Sequence, residues 1–203
     1  MTDDTPARPQ RRSAALLKRR LVDEQRKQLD AMLDWALTDT TLEEMAAQIV
    51  GARRRFIIGA TQSFAYASLL ALDLSASLAN VHLVDGTIIR PIDVLSDVRS
   101  SDVLVAFSLH RYRKYTIDIA TTFRDAGGRL LVITDSPDAP LATMEGADVV
   151  LVPPAGMSFD ESPSSMSLVI GLIASLTAAS AKGSGRRSAQ RDHLGEVLDL
   201  YAD

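Results

Sequence analysis

Short apolar segments alternate with helical patterns over most of this chain. Five apolar runs have the length of a β-strand: Phe56–Gly59, Val81–Val84, Val103–Phe107, Leu130–Thr134 and Val149–Val152. They are rich in Val and Ile and show little polar alternation, which is typical of strands that are covered on both faces. Because most of these runs are separated by a helical pattern, the chain is predicted to form an α/β fold with a parallel sheet and right-handed crossovers.

Apolar residues at spacings of three and four predict the helices. Residues 1–12 look disordered, a long helix is expected from Ser13 to Leu37, and the next helix is expected to run to about Ala52. The helices predicted after that are Ser63–Leu78, a piece near Ile92–Val98, Arg113–Ala126, a short one at Pro140–Glu145, the long Ser164–Ala181 and a final charged helix.

The composition of the chain fits an intracellular globular protein. Its 203 residues suit one domain with a modest extension, and 46% of them are hydrophobic. The absence of cysteine excludes disulfides and thiolate metal sites and fits a reducing cytoplasm. The first 28 residues carry no apolar leader, and Met166–Ala181 is too short and too polar for a membrane span. We therefore expect a cytoplasmic protein that makes no membrane contact.

The charge is unevenly distributed between a basic arm, residues 1–28, and a body, residues 29–203. The arm holds eight of the 22 Lys and Arg residues and four of the 26 Asp and Glu residues, so the body is acidic. An acidic body argues against direct DNA binding by the body itself. The arm is either a solvated terminal segment or a segment that touches nucleic acid or an acidic surface.

The loop Gly59–Ser63 follows the first predicted strand and leads into a helix. It offers the hydroxyls of Thr61 and Ser63, the Gln62 amide and the free backbone N–H groups of a helix start, a combination that suits a phosphate. Gly59 is expected to permit a turn that a larger residue would resist. The alternative is that Ser63 simply caps the helix and that no ligand binds.

A second loop, Ser108–Tyr115, gives a stronger indication. It follows another buried strand and places His110, Arg111, Arg113 and Lys114 at a helix start, where the positive end of the macrodipole disfavours cations. A bound phosphate or carboxylate would explain them, because the arginine fork matches both groups. The alternative is a solvated surface on which these cations pair with nearby acids such as Asp118.

Other polar groups give weaker indications. The loop Thr134–Pro140 has the residues of a structural turn, although Asp135 could also reach a ligand hydroxyl. The three histidines, His82, His110 and His193, lack the spacing of metal ligands, so we expect neither a metal site nor a cofactor.

At these loops the chain resembles the sugar isomerase (SIS) domain and, more specifically, the phosphosugar-sensing half of the RpiR/MurR bacterial transcriptional regulators. The resemblance covers about residues 29–203. It rests on Gly59-x-x-x-Ser63, on Asp102-Val-Leu-Val-Ala-Phe-Ser108 with Arg111-Tyr112 after it, and on Ile133-Thr134-Asp135-Ser136-Pro137 followed by Pro140-Leu141-Ala142.

The resemblance implies a three-layer α/β/α sandwich on a five-stranded parallel sheet, flavodoxin-like and usually dimeric. It also implies that a phosphosugar binds at the carboxyl edge, with its phosphate held by Ser63 and Ser108 and with Gly59 shaping the turn. The sequence departs from the family where many SIS domains have Ser-x-Ser-Gly-x-Thr, because His110, Arg111 and Arg113 replace the second Ser, the Gly and the Thr. Only about 28 residues precede the similar region, and they show no helix-turn-helix pattern.

Two functions remain open at this stage. The favoured one is a non-catalytic, homodimeric or larger homo-oligomeric sensor of a small phosphosugar or sugar acid, with Gly59, Gln62, Ser63, Ser108, His110, Arg111 and Arg113 as ligand-binding residues. The alternative is an aldose–ketose phosphosugar isomerase, which needs a base to move a proton between adjacent carbons. His110 and Glu161 are the two candidates for that base.

Overall fold

Five parallel strands form a single sheet, as the sequence predicts. A computed structural model describes residues 8–153 and 163–200. The strands are β1 (Arg55–Ile58), β2 (Val81–Leu83), β3 (Val103–Ser108), β4 (Arg129–Thr134) and β5 (Ala147–Leu151). They lie in the order β2–β1–β3–β4–β5, and every neighbouring pair is parallel. The order reverses direction at β1, so a crevice opens beyond the carboxyl ends of β1 and β3.

Helices cover both faces of the sheet. In chain order they are α1 (Arg8–Thr38), α2 (Thr41–Gly51), α3 (Gln62–Ser77), α4 (Pro91–Leu95), α5 (Lys114–Asp125), α6 (Pro163–Ser180) and α7 (Ser184–Val197). Residues of α2, α3 and α6 form one buried cluster with one side of the strands, and residues of α4 and α5 form a second cluster with the other side. The architecture is therefore the expected three-layer α/β/α sandwich.

Successive residues of a strand contribute to opposite layers. Ile57 packs toward α2, α3 and α6, whereas Phe56 and Ile58 pack toward α4 and α5. All four residues of β1 and all six of β3 are buried. Two-sided burial explains why the strands read as continuous apolar runs rather than as an alternation.

Two predictions about helices need correction. Pro140–Glu145 is a set of turns and not a helix: the N–H groups of Ala142 and Thr143 both donate to the carbonyl of Ala139, so the bonding pattern of a helix never propagates. At the other end of the chain, α1 begins at Arg8 rather than at Ser13. A proline in the first turn of a helix costs no hydrogen bond, so Pro9 does not prevent this early start.

By length and composition alone, the helix α6 is long and apolar enough to cross a membrane, so the prediction that this segment is too short and too polar for a span is wrong on that criterion. Core helices of globular domains pass the same test. Here Met166, Val169, Ile170 and Ile173 of α6 are buried in the cluster shared with α2 and α3. The apolar character of α6 is accounted for, at least on that face, by packing within the domain.

Candidate functional site

A cavity of about 210 Å³ lies beyond the carboxyl ends of β1 and β3. We call it the edge cavity. Because β1 and β3 are adjacent and parallel, the loops that follow them meet at the same edge of the sheet. Six of the seven predicted ligand-binding residues line the edge cavity, namely Gln62, Ser63, Ser108, His110, Arg111 and Arg113. The seventh, Gly59, is not among the lining residues.

Gly59 acts on the shape of the first loop, but for a reason that differs from the predicted one. Its φ angle does not lie in the left-handed region. Instead, a Cβ at this position would lie 2.3 Å from the backbone oxygen of Ser63, which no side chain can accommodate. Glycine is therefore required because the first turn of α3 passes directly over the end of β1.

The helix α3 starts one residue earlier than expected, at Gln62. Thr61 occupies the N-cap position with a φ of 56°, and its side chain makes no capping hydrogen bond. Ser63 consequently lies in the first turn, not at the cap, and is half-buried at the wall of the edge cavity. The alternative interpretation, in which Ser63 is the N-cap residue of the helix, is therefore wrong.

Two residues with buried hydroxyl groups, Ser108 and Thr116, are among those that line the cavity. Ser108 is 2% exposed and Thr116 is 1% exposed. Neither Ser108 Oγ nor Thr116 Oγ1 has a hydrogen-bond partner among the residues that the structure describes. Buried hydroxyls without a partner are costly, by about 1–3 kcal/mol each. We call this pair the hydroxyl floor.

Thr116 was not identified from the sequence. It lies in the first turn of α5, two residues after the helix starts at Lys114. A threonine at such a position usually reads as an ordinary helical residue. The sequence feature that could have identified it is its position two residues after a cationic helix start that follows a buried strand.

Three exposed residues, His110, Arg111 and Arg113, line the edge cavity, and we call the two arginines its cationic rim. Arg113 is the N-cap residue of α5 and makes no side-chain capping bond. No ion pair involves Arg111 or Arg113 within residues 8–153 and 163–200. The predicted alternative holds only for Lys114, whose Nζ donates to Asp118 Oδ1 at 2.7 Å.

Arg111 has a backbone conformation that normally belongs to glycine. Its φ is 63°, in the left-handed region that costs a non-glycine residue about 1–2 kcal/mol. Such strain persists where the surrounding structure enforces it, and it tends to occur at functional sites. The loop that carries Arg111 must therefore be held in place by its neighbours.

Asp135, at the end of β4, holds that loop. Its Oδ2 accepts the backbone N–H of His110 at 3.0 Å, and its Oδ1 accepts the hydroxyl of Tyr112 at 3.1 Å. The hydroxyl of Thr134 donates to the Ser108 carbonyl at 2.6 Å. Burial, followed by the negative charge of Asp135, raises the pKa of Tyr112. The third loop is thus a support for the second, and Asp135 is not among the residues that line the edge cavity.

The remaining candidates lie elsewhere. His82 stacks on Phe56 at a ring separation of 5.4 Å, and burial together with the charge of Arg54 lowers its pKa. His193 lies on α7. Across residues 8–153 and 163–200, no group of three or more His, Asp or Glu residues could hold a metal ion. Glu161 lies outside the described residues.

Comparison with known proteins gives one family and several similar folds. The model of the SIS domain family matches residues 48–180. An uncharacterised protein of Archaeoglobus fulgidus is 34% identical over 112 residues, which are 55% of this chain and 57% of that protein. The match therefore spans little more than half the length of this relative.

Three solved structures show the same fold at low sequence identity. The sugar isomerase domain of an RpiR transcription factor from Sphaerobacter thermophilus has a TM-score of 0.73 at 19% identity, over 91% of this chain and 99% of that one. The Vibrio vulnificus NanR protein complexed with ManNAc-6P has a TM-score of 0.71 at 15% identity, over 89% of this chain and 69% of that one. The third structure is a hypothetical protein of Methanococcus jannaschii, for which a 3-hexulose-6-phosphate isomerase function was inferred. It has a TM-score of 0.63 at 16% identity, over 84% of this chain and 96% of that one.

Proposed function

The chain belongs to the SIS domain family, and on that premise we propose that its edge cavity binds a phosphorylated sugar or a related small anion without converting it. One observation carries the proposal: the hydroxyl floor, Ser108 and Thr116, is buried and has no hydrogen-bond partner among the described residues, and it lines a cavity that also receives two helix starts. Phosphate oxygens only accept hydrogen bonds, so they match hydroxyls and free backbone N–H groups.

The cationic rim supports an anionic ligand. Arg111 and Arg113 lie beside a helix start, where an unpaired cation is disfavoured by the macrodipole. A bound anion would compensate both the guanidinium groups and the helix N-terminus. The NanR structure, which contains ManNAc-6P, is a similar fold with a ligand of this chemical class.

A regulatory role is part of the proposal. Two of the similar structures are the RpiR transcription factor and NanR, and we propose that this chain acts in the same way, as a cytoplasmic sensor module. The acidic body argues that any contact with DNA is made by another segment or partner. We keep the division into a basic arm, residues 1–28, and an SIS domain, residues 29–203, as a proposal.

We further propose that the protein is a homodimer or a larger homo-oligomer. The helix α1 exposes Leu16, Leu17, Leu21, Val22, Leu33 and Leu37. A second copy that buries this face would remove apolar surface from water at about 25 cal/mol per Å². Sedimentation equilibrium should give a mass near twice or more that of the chain. A monomer at all accessible concentrations would contradict the proposal.

Thermal denaturation with a panel of ligands tests the binding function. Hexose 6-phosphates and pentose 5-phosphates should raise the melting temperature, whereas the same sugars without phosphate should not. A ligand at 100 times its Kd stabilises the folded state by about 2.7 kcal/mol, which corresponds to roughly 5–10 °C for a chain of this size. The proposal fails if no phosphorylated sugar produces a shift.

Isomerisation is the second candidate function, because a similar structure is one for which an isomerase function was inferred. His110, which lines the edge cavity, is the candidate base within the described residues. Its ring makes an edge contact with the Tyr112 ring at 6.3 Å. Following aldose and ketose phosphates by NMR in the presence of the protein decides between the two functions. Interconversion that is lost in His110→Ala would favour the isomerase.

A further inference from the structure

Donor groups dominate the edge cavity, and they fall into two tiers. The buried tier is the hydroxyl floor, Ser108 and Thr116, and the exposed tier is the cationic rim with Arg111 and Arg113. Within the described residues, no Asp or Glu lines this cavity. The charged side chains among the lining residues are arginines, and this charge favours an anionic ligand over a neutral sugar.

The two tiers have different chemistry. Neutral hydroxyls and backbone N–H groups at a helix start can hold a phosphate without any cation, as helix N-termini commonly do. If the phosphate lies on the hydroxyl floor, both guanidinium groups of the cationic rim remain available. The planar arginine fork then suits a second anion, a carboxylate, which is itself planar.

The left-handed backbone conformation of Arg111 indicates that its side chain serves ligand binding and not the stability of the fold. The φ of 63° would be free of strain with glycine, yet the chain has an arginine there. Asp135 and Tyr112 keep the loop in this strained form through the hydrogen bonds described above. Fold stability alone does not require a guanidinium at a position where glycine would fit better.

We propose that the ligand of the edge cavity is a phosphorylated sugar acid, with its phosphate on the hydroxyl floor and its carboxylate on the cationic rim. The inference rests on the proposed function and specifies its ligand class. The carboxylate accounts for Arg111 and Arg113, and the phosphate accounts for Ser108 and Thr116. Discrimination between an aldose phosphate and the corresponding acid comes from the rim.

Isothermal titration of the full chain with matched pairs tests the inference. The pairs are glucose 6-phosphate with 6-phosphogluconate, and arabinose 5-phosphate with 5-phosphoarabinonate. In at least one pair, we expect the acid to bind at least tenfold more tightly than the aldose. Arg111→Gly, which relieves the backbone strain, and Arg113→Ala should each reduce that ratio to about twofold or less.

Two controls separate the tiers. Ser108→Ala should weaken both members of a pair by the same factor, so that the ratio stays unchanged. Arg129→Ala removes an exposed cation at the amino end of β4, on the opposite edge of the sheet, and should change neither affinity. The melting temperature of each variant shows whether it is folded.

The outcomes distinguish this inference from the proposed function. Equal affinity for the aldose phosphate and its acid, or a ratio that survives Arg111→Gly combined with Arg113→Ala, overturns the inference and leaves phosphosugar binding in place. If none of the four phosphorylated compounds binds, the proposed function fails, and the inference fails with it.

Discussion

Asp135 supports the edge cavity from outside, and replacing it gives a quantitative test of the site. Asp135→Ala removes the acceptors of the His110 N–H and of the Tyr112 hydroxyl, which lie at 3.0 Å and 3.1 Å. Hydrogen bonds to a charged group contribute about 1.5–3 kcal/mol each, and the half-buried position of Asp135 places them at the lower end. Without them, the strained conformation of Arg111 has less support.

The expected result is a protein that remains folded but binds its ligand more weakly. If ordering the loop costs about 1.5 kcal/mol in the variant, the Kd for a phosphosugar rises roughly tenfold. Isothermal titration measures the Kd, and denaturant unfolding measures the stability of the unliganded protein. Asp138→Ala is the matched control, because that carboxylate makes no described hydrogen bond to the loop. Unchanged affinity in Asp135→Ala would refute this account of how the loop is held.

The same variant has a signature in the titration of Tyr112. Burial and the charge of Asp135 raise the pKa of this phenol, so the folded protein keeps a proton that the unfolded chain loses above about pH 10. The resulting stability is complete below that pH and is lost as the pH rises through the folded pKa. In Asp135→Ala the ultraviolet tyrosinate signal should move to lower pH; an unmoved signal would contradict the contact.

Two further predictions concern residues that shape the sheet edges. Gly59→Ala should destabilise the protein by about 3 kcal/mol in denaturant unfolding, because the new Cβ would lie 2.3 Å from the Ser63 oxygen; a neutral effect would mean that the turn relaxes freely. The pKa of Asp102 is lowered: burial opposes the charge, but hydrogen bonds from Arg54 and Arg53 outweigh it. The contribution of ionised Asp102 to the stability of the fold is therefore present above about pH 4, and it is lost as the pH falls through the pKa of Asp102 in the folded protein. Asp102→Ala should cost about 3 kcal/mol at neutral pH and flatten the acid side of the stability profile, and a wild-type profile would contradict this.

The sheet could be predicted from the sequence because strands that are buried on both faces form continuous apolar runs. The run Val103–Phe107 differs from the observed β3 (Val103–Ser108) by one residue, because Ser108 is buried in the strand although it is polar and so does not continue the apolar run. The meeting of the Gly59 and Ser108 loops also followed from the sequence. Adjacent parallel strands must end at the same edge of a sheet.

Contacts between loops that are distant in the chain could not be predicted from the sequence. Asp135 reads as part of a turn, and only the structure shows that it accepts hydrogen bonds from a loop 23–25 residues earlier in the chain. Thr116 has no feature in the sequence that separates it from an ordinary helical residue, and the lack of a hydrogen-bond partner for its hydroxyl among the described residues is visible only in the structure. Pro140–Glu145 has a helical composition, but it forms a series of turns in which Leu141 is buried.

Ser108→Ala tests most directly whether the hydroxyl floor exists to bind a ligand. The unliganded protein should be as stable as the wild type or more stable by about 1 kcal/mol, because the substitution removes a buried hydroxyl that has no hydrogen-bond partner in the described part of the chain. Stabilisation by a phosphosugar at a fixed concentration should become clearly smaller in the same denaturant titration. A variant that is destabilised without ligand, or that keeps the full ligand effect, would contradict a phosphate site at this edge of the sheet.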